Sequence, residues 1–497
     1  MNREQARLRM QNELDACKTA AERNRLGQFA TPPALAAEIV HYTAQKVLPF
    51  TTGAKALEPS CGTGSFLTAL SECAATSGLI KTGIELDPAF AAGAQSLWKE
   101  SVRIIQADFL NWSENSSEMF DLLVANPPYV RHHHLKPEQK ARYSDFVAKA
   151  SGQRVSGLSG LYVYFILGAA VKLKPGAVAS WLVPAEFMSV NYGSAVRDYL
   201  ATKVTLERVH VFRADDLQFD DALVTSCVVT YRNAVPQTDH EATFTFGSSF
   251  ASPSETRRTP VSGLRRSSKW LQYFLQAPSD PGATLGQYFT VRRGIATGCN
   301  SFFIRPRSEF HAMGIPDTFL RPILPSPRYT PVEEVLSDEK GWPSNVDGLA
   351  LLDCTGWTAD HLPAPVCRYL ENAPSSIHDS YLVKKRFPWY AQEQRNAAPI
   401  VCTYMGRGRG ASGPALRFIR NRSRAIATNS YLMLFPKGRA SSEDWLDDAW
   451  IKLSGITAAA IRAEGREYGG GLSKIEPKEL SRVVVPGFAE EPQPVLF

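Results

Sequence analysis

The sequence predicts an α/β protein built on a doubly wound, mostly parallel sheet, and three observations carry that expectation. From about residue 27 to 235, short apolar runs alternate with helix-favouring stretches, the pattern of repeated strand–helix–strand units. One run, Phe120-Asp121-Leu122-Leu123-Val124-Ala125, stops at Asn126-Pro127-Pro128-Tyr129, where two prolines end the strand and stiffen the turn. Another, Ala56-Leu57-Glu58, enters the loop Pro59-Ser60-Cys61-Gly62-Thr63-Gly64 and then a helical stretch from Ser65.

Taken in order, residues 1–26 read as a helical leader with Leu8, Met10 and Leu14 on a packing face, and residues 27–235 as the sheet domain. In the glycine loop, Gly62 and Gly64 allow a tight turn and close approach of backbone to a ligand. The spacing is not that of a nucleoside-triphosphate loop. Leu79-Ile80-Lys81-Thr82-Gly83-Ile84-Glu85-Leu86 is a second strand with an acidic end, placed where a ribose-binding carboxylate belongs. Val102 to Ala107 is a third, ending at Asp108-Phe109. Late strands are expected at 177–183, 206–212 and 223–231, the last two as a hairpin at the sheet edge. Residues 236–262 are rich in Ser, Thr and Pro and read as a linker. Beyond them, 263–497 forms a second domain of mixed strands and loops whose fold the pattern does not give.

Asn126-Pro127-Pro128-Tyr129 carries the chemistry. Ligands of open α/β sheets bind at the carboxyl ends of strands. The Asn126 side-chain oxygen and the Pro127 carbonyl are both acceptors, and they suit a planar NH2 with two hydrogens to donate. A neighbouring aromatic, Tyr129, suits a flat ring. The implied work is on an amino group attached to a π-system.

With Gly27-Gln28-Phe29-Ala30-Thr31-Pro32 upstream, this set resembles the gamma class of S-adenosylmethionine-dependent DNA adenine-N6 methyltransferases. The match covers about residues 25–235; further on, Tyr468 to Pro477 is similar to a glycine-rich segment of related recognition domains. The resemblance implies a Rossmann-like, seven-stranded methyltransferase sheet with a C-terminal mixed α+β target-recognition domain at 263–497. Thr31, Glu58, Pro59, Cys61, Gly62 and Gly64 would surround the methionine portion of the cofactor. Glu85, with Leu86 beside it, would bind the ribose, and Asp108 and Phe109 the adenine. Tyr129 and Phe219, the latter in Phe219-Asp220-Asp221-Ala222-Leu223, would stack on an extruded base. A restriction-modification or phage-defence role follows from the same resemblance. The alternative is another planar amine: RNA adenine, cytosine N4 or protein glutamine.

Charge agrees with a nucleic-acid partner. The formal net charge of +6 is uneven: residues 1–235 hold 24 Lys+Arg against 23 Asp+Glu, and the rest 31 against 26. Candidate contacts to double-stranded DNA are Arg131, Arg292, Arg293, Lys384, Lys385, Arg386, Arg407, Arg409 and Lys474, with Arg420, Arg422 and Arg424 as a further basic group. No apolar run reaches membrane-spanning length, and the N-terminus has no signal-peptide core. A cytoplasmic, prokaryotic, monomeric protein is expected. No metal is expected: the eight cysteines lack C-x-x-C spacing, and adjacent side chains such as His132, His133 and His134 rarely converge on one ion. Cys61 reads as a packing residue and not a nucleophile. No built-in nuclease pattern is present, so a restriction endonuclease would be a separately encoded partner.

Overall fold

The computed structural model describes residues 2–213, 225–266, 269–270, 283–407, 416–438, 442–468, 472–485 and 487–488. Contacts divide the chain into two compact units, 1–277 with 468–470, and 278–467 with 471–497.

The first unit opens with α1 (Arg3–Ala16), α2 (Ala20–Leu26) and α3 (Pro33–Gln45). A parallel series follows: β1 (Lys55–Glu58), α4 (Ser65–Glu72), β2 (Ile80–Glu85), α5 (Pro88–Trp98), β3 (Arg103–Gln106), α6 (Phe109–Asn115) and β4 (Phe120–Ala125). Next come α7 (Pro137–Ser151), α8 (Leu161–Gly168), β5 (Leu173–Pro184), α9 (Ser194–Thr202), β6 (Thr205–Val211) and β7 (Ser226–Arg232). The sheet order is β3-β2-β1-β4-β5-β7-β6, extended by β8 (Glu241–Phe246) and β9 (Glu255–Pro260).

Strands β1 to β5 are parallel, and β7 runs antiparallel between β5 and β6. The chain builds outward from β1 through β2 to β3, then crosses back to place β4 on the other side of β1. That reversal opens a crevice at the carboxyl ends of β1 and β4. Both sheet faces are covered, which is why β4 reads as an apolar run broken only by Asp121. Its Leu122 and Val124 pack with Leu35, Ile39 and Phe66 of α3 and α4. Its Leu123 and Ala125 pack with Phe146, Val163 and Leu167 of α7 and α8.

Two expectations are corrected. Among the described residues the sheet has nine strands, because residues 236–262 are not a linker: β8 pairs parallel with β6, and β9 pairs antiparallel with β8. The β6/β7 pair is consequently inside the sheet and not at its edge. A Ser/Thr-rich composition misled here, since Thr243, Phe244, Thr245 and Phe246 are ordinary β-formers, with Phe244 and Thr245 both buried.

The leader also differs in detail. The buried residues of α1 are Arg7 and Gln11, while Leu8 is exposed. Met10 and Leu14 do pack, against Gly93 of α5.

The second unit holds a five-stranded sheet, β10-β18-β15-β17-β13, from β10 (Phe289–Arg293), β13 (Glu334–Val335), β15 (Ile400–Thr403), β17 (Phe418–Asn421) and β18 (Tyr431–Pro436). Two three-stranded sheets accompany it, β11 (Ile304–Pro306), β14 (Leu349–Leu352) and β12 (Leu320–Ile323), and β16 (Met405–Arg407), β20 (Leu472–Lys474) and β19 (Arg466–Tyr468). Among the described residues no helix is long and apolar enough to cross a membrane.

Candidate active site

A cavity of about 760 Å³ lies at the carboxyl ends of β1, β2, β3 and β4. It falls within the usual range for small-molecule sites. The strand ends supply Glu58 to Gly62, Glu85 to Pro88, Ala107 to Phe109, Asn126 and Pro128. The segment Arg25 to Thr31, which leads into α3, supplies another wall.

Glu58, at the end of β1, is buried, and its carboxylate accepts from the Leu67 amide at 3.0 Å. Burial pushes its pKa well above the ordinary glutamate range. Glu85 accepts from the Gly62 amide and the Asp87 amide, each at 2.8 Å, so it braces the glycine loop against the end of β2. Burial raises its pKa as well, against those two bonds. Gly62 has φ +54°, and a Cβ added there would find nothing nearer than a Phe90 ring carbon at 4.0 Å. The loop therefore presents bare backbone to open space.

Cys61 lies against Gly83, and burial pushes its thiol pKa well up, so it is an inert packing residue. Gly64 lies against Trp98 and does not line the cavity. Asp108 caps α6 through the Asn111 amide at 3.1 Å, and its other oxygen accepts from the Tyr143 hydroxyl at 2.5 Å. Leu86, Phe90, Phe109 and Phe165 give the cavity its apolar surface. Carboxylates at two strand ends, a bare glycine loop and flat apolar walls fit a nucleoside-bearing cofactor such as S-adenosylmethionine.

The Asn126 amide is held in one orientation. Its Nδ2 donates to the Phe29 carbonyl at 2.8 Å and to Thr31 Oγ1 at 3.2 Å. Its Oδ1 is buried and has no hydrogen-bond partner. The backbones of the two segments touch: the Tyr129 amide donates to the Gly27 carbonyl at 3.2 Å, and a Cβ on Gly27 would sit 2.3 Å from the Tyr129 nitrogen. Only glycine fits there, the more so at φ +65°. Pro127 is buried and, like Tyr129, is not part of the cavity lining. Tyr129 is 8% exposed, its hydroxyl donating to the Leu182 carbonyl at 3.1 Å and its ring 5.7 Å from that of Phe29.

Phe219 lies outside the described residues, as does Arg409, and of Arg407 only the backbone is described. Arg131 and Arg292 are exposed. Arg293 lies 4.1 Å and Lys474 5.1 Å from the Tyr404 ring centroid, and Lys474 also pairs with Glu476. Lys384 and Lys385 are exposed. Arg386 is spent on main-chain carbonyls, those of Ala296 and Thr297, which marks it as a strut and corrects its reading as a DNA contact. Arg420 and Arg422 are likewise committed to Glu443, Asp447 and Glu334 within the unit. Among the described residues no group of three His, Cys, Asp or Glu is placed to hold a metal.

Two cavity residues were missed in the sequence. Gln11 of α1 lines the cavity, and its Oε1 accepts from Thr63 of the glycine loop at 2.8 Å. Tyr143 of α7 reaches it from a helix that begins beyond the histidines. The only hint of Gln11 was its i, i+4 spacing from Arg7, and polar pairs at that spacing are usually solvent-facing.

The sheet order and loop are those of the S-adenosylmethionine-dependent methyltransferase fold. Comparison narrows the class. Residues 72–219 match the model of the Eco57I restriction-modification methylase, and residues 267–496 that of the C-terminal domain of type II methyltransferase M.Eco57I. The chain is 26% identical over 493 residues to type II methyltransferase M.XamI of Xanthomonas campestris pv. amaranthicola, covering 93% of this chain and 85% of that one. It is 25% identical over 489 residues, with the same coverages, to M.AccI of Acinetobacter calcoaceticus. The type IIL restriction-modification enzyme MmeI, solved in complex with DNA, shares the fold with a TM-score of 0.60 at 12% identity, over 95% of this chain and 70% of that one. Both matched models describe Eco57I-type restriction-modification methylases, and the chain is similar to that family in each of its two units.

Proposed function

We propose that this chain transfers a methyl group from S-adenosylmethionine to the N6 amino group of an adenine flipped out of duplex DNA, as the modification enzyme of a restriction-modification system. The observation that carries this reading is the unpartnered, buried Oδ1 of Asn126. A buried acceptor without a donor costs about 1–3 kcal/mol, so it is kept for a donor that arrives with substrate. The fixed Nδ2 bonds to Phe29 and Thr31 leave Oδ1 as the one free function of the amide.

When bound, S-adenosylmethionine supplies an electrophilic methyl on a sulfonium leaving group. Asn126 Oδ1 and the Pro127 carbonyl each accept one hydrogen of the target amine. That pair of bonds draws the nitrogen lone pair out of conjugation with the ring and fixes its direction. Glu85 would bind ribose hydroxyls, exchanging its bonds to the loop amides for them. Asp108 would face the cofactor's adenine, held by its bond to Tyr143, and Phe90 and Phe109 would enclose the rings. Tyr129 and Phe219 are assigned to stacking on the target base, and the second unit to reading the DNA site.

The test incubates purified protein with radiolabelled S-adenosylmethionine and unmethylated duplex DNA, with Asn126→Ala as control, and identifies the labelled nucleoside after digestion. Labelled N6-methyladenine, lost in the variant, is the expected result. Label in N4-methylcytosine, RNA or protein would overturn the adenine-in-DNA assignment.

A further inference from the structure

Three aromatic residues lie close together in 387–390 of the second unit, and one of them is left outside. Trp389 packs 6.1 Å from both Phe302 and Phe303 and 4.7 Å from His378, ring to ring. Tyr390 is buried, its hydroxyl donating to the Trp357 carbonyl at 3.0 Å. Phe387 has a relative exposure of 101%, as open as in an extended chain.

The segment beneath it is firmly attached. Val383 is buried in the core. The Arg386 guanidinium donates to the carbonyls of Ala296 and Thr297, each at 2.6 Å, and to Gln392 Oε1 at 3.2 Å. Ser380 Oγ donates to the Gly298 carbonyl at 3.1 Å. Phe387 is thus held out from an anchored base and is not a loose side chain on a free loop.

Close to it in the chain are a second exposed ring and two ammonium groups. Tyr381 is 68% exposed, and Lys385 Nζ donates to its hydroxyl at 2.6 Å while lying 4.4 Å from the ring centroid. Lys384 is exposed and pairs at 3.4 Å with Asp379, the one acidic residue between His378 and Pro388. Single exposed apolar residues are ordinary. A fully exposed ring on an anchored base, within six residues of a second open ring and two exposed lysines, matches a partner that offers π-faces and anionic charge together.

We propose that Phe387 is a wedge for duplex DNA, inserting at a base step while Lys384 and Lys385 meet the flanking phosphates. This inference rests on the DNA reading above and adds to it a contact that does not touch the reacting base. The methylated sites of DNA treated with wild-type protein are mapped first. Short duplexes carrying one mapped site are then made with 2-aminopurine at single positions other than the target. Binding by wild-type, Phe387→Ala and Phe387→Trp full-length protein is followed by anisotropy and by 2-aminopurine fluorescence.

The expected result is a loss of affinity of roughly tenfold in Phe387→Ala, as for removal of one base-stacking aromatic, with Phe387→Trp near wild type. One non-target 2-aminopurine should brighten with wild type and stay quenched with Phe387→Ala, while thermal stability and cofactor affinity stay unchanged. Binding and methylation within twofold of wild type in Phe387→Ala would overturn the wedge and leave the methyltransferase reading intact. So would loss of self-association in that variant without any effect on DNA, which would make the ring a protein contact. Failure of wild type to label DNA at all would remove the DNA reading and the wedge with it.

Discussion

Asn126 Nδ2 donates to the main-chain carbonyl of Phe29 at 2.8 Å, and that bond decides which way the amide of the NPPY turn faces. The carbonyl belongs to the Gly27–Pro32 segment, 97 residues away in sequence, so two motifs that look independent along the chain form one unit in space. The bond also predicts what an isosteric change would do. In Asn126→Asp an oxygen replaces Nδ2 and faces the Phe29 carbonyl, acceptor against acceptor, unless it carries a proton. The protonated carboxyl can still donate to Phe29 and accept from substrate. Methyl transfer by Asn126→Asp should therefore fall by about 100-fold or more near pH 8, the scale of losing a transition-state hydrogen bond, and recover partly as pH falls. The check is a pH–rate profile of the variant against wild type, and a flat ratio would contradict the orientation argument.

Tyr129 separates a structural from a stacking role. Its hydroxyl bond to the Leu182 carbonyl is one neutral hydrogen bond, whose net contribution is about 0.5–1.5 kcal/mol. Tyr129→Phe should lose that in thermal stability and keep methylation within about threefold. Tyr129→Ala should lose about 1–3 kcal/mol of base stacking, roughly a tenfold to hundredfold drop in kcat/KM toward DNA. Cofactor affinity, measured by calorimetry without DNA, should be nearly unchanged in both, since Tyr129 does not line the cavity.

The leader helix braces the glycine loop. Arg7 of α1 is almost fully buried, with two bonds to Glu4, at 2.6 and 2.8 Å, and one from its Nη1 to Thr63 Oγ1 at 3.1 Å. Glu4→Gln leaves that guanidinium buried without its carboxylate. Removing one partner of a buried pair costs several kcal/mol at most, and Glu4 is partly solvated, so about 2 kcal/mol is expected. In a domain of this size that reads as a fall in Tm of roughly 4–8 °C. Because Thr63 sits in the glycine loop, S-adenosylmethionine affinity should fall with it, while a surface control such as Glu13→Gln should alter neither. Differential scanning calorimetry with and without cofactor measures both effects.

The parallel sheet of the first unit and its cavity were legible because the residues that build them lie in short sequence windows. A glycine loop, an acidic strand end and NPPY each announce themselves within a dozen residues, and their order along the chain requires a parallel sheet with one reversal. What failed depended on long-range burial. Nothing in Thr243-Phe244-Thr245-Phe246 says that β6 offers it an open edge. Arg386 and Arg420 look like any basic residue on a surface until Ala296, Thr297, Glu443 and Asp447 are brought to them. Arg7 and Gln11 look like the polar face of a solvated helix until Thr63 closes over them. In the second unit the five-stranded sheet joins segments as far apart as Phe289 and Pro436 through pairing that leaves only short, unremarkable apolar runs in the sequence.

His210 gives the first unit a defined pH response. It lies on β6, fully buried, with Nδ1 against Thr245 Oγ1 at 2.9 Å and its ring 4.7 Å from Phe212 and 5.5 Å from Phe250. Burial, and after it the neighbouring Arg208 guanidinium, lower its pKa to about 3, so the folded protein holds this imidazole neutral. The unfolded chain takes up a proton at this side chain below about pH 6.5. Between there and about pH 3 the unfolded state therefore binds one proton more than the folded state, and stability falls as pH falls, with a limiting slope of about 1.4 kcal/mol per pH unit from this group. Above pH 6.5 the contribution is complete and flat. Glu58 and Glu85 work in the opposite sense, because burial raises their pKa: the folded state keeps their protons longer, and their share of stability grows toward acid. Replacing His210 by Gln, which can still meet Thr245 but does not titrate, should remove the His210 share of the slope between pH 6.5 and 5, and because Glu58 and Glu85 contribute alike to both proteins the difference between the two curves isolates it. Urea denaturation at half-unit pH steps on wild type and His210→Gln checks this. Parallel curves for the two proteins over that interval would show that His210 is protonated in the folded state and that its burial does not exclude the charge.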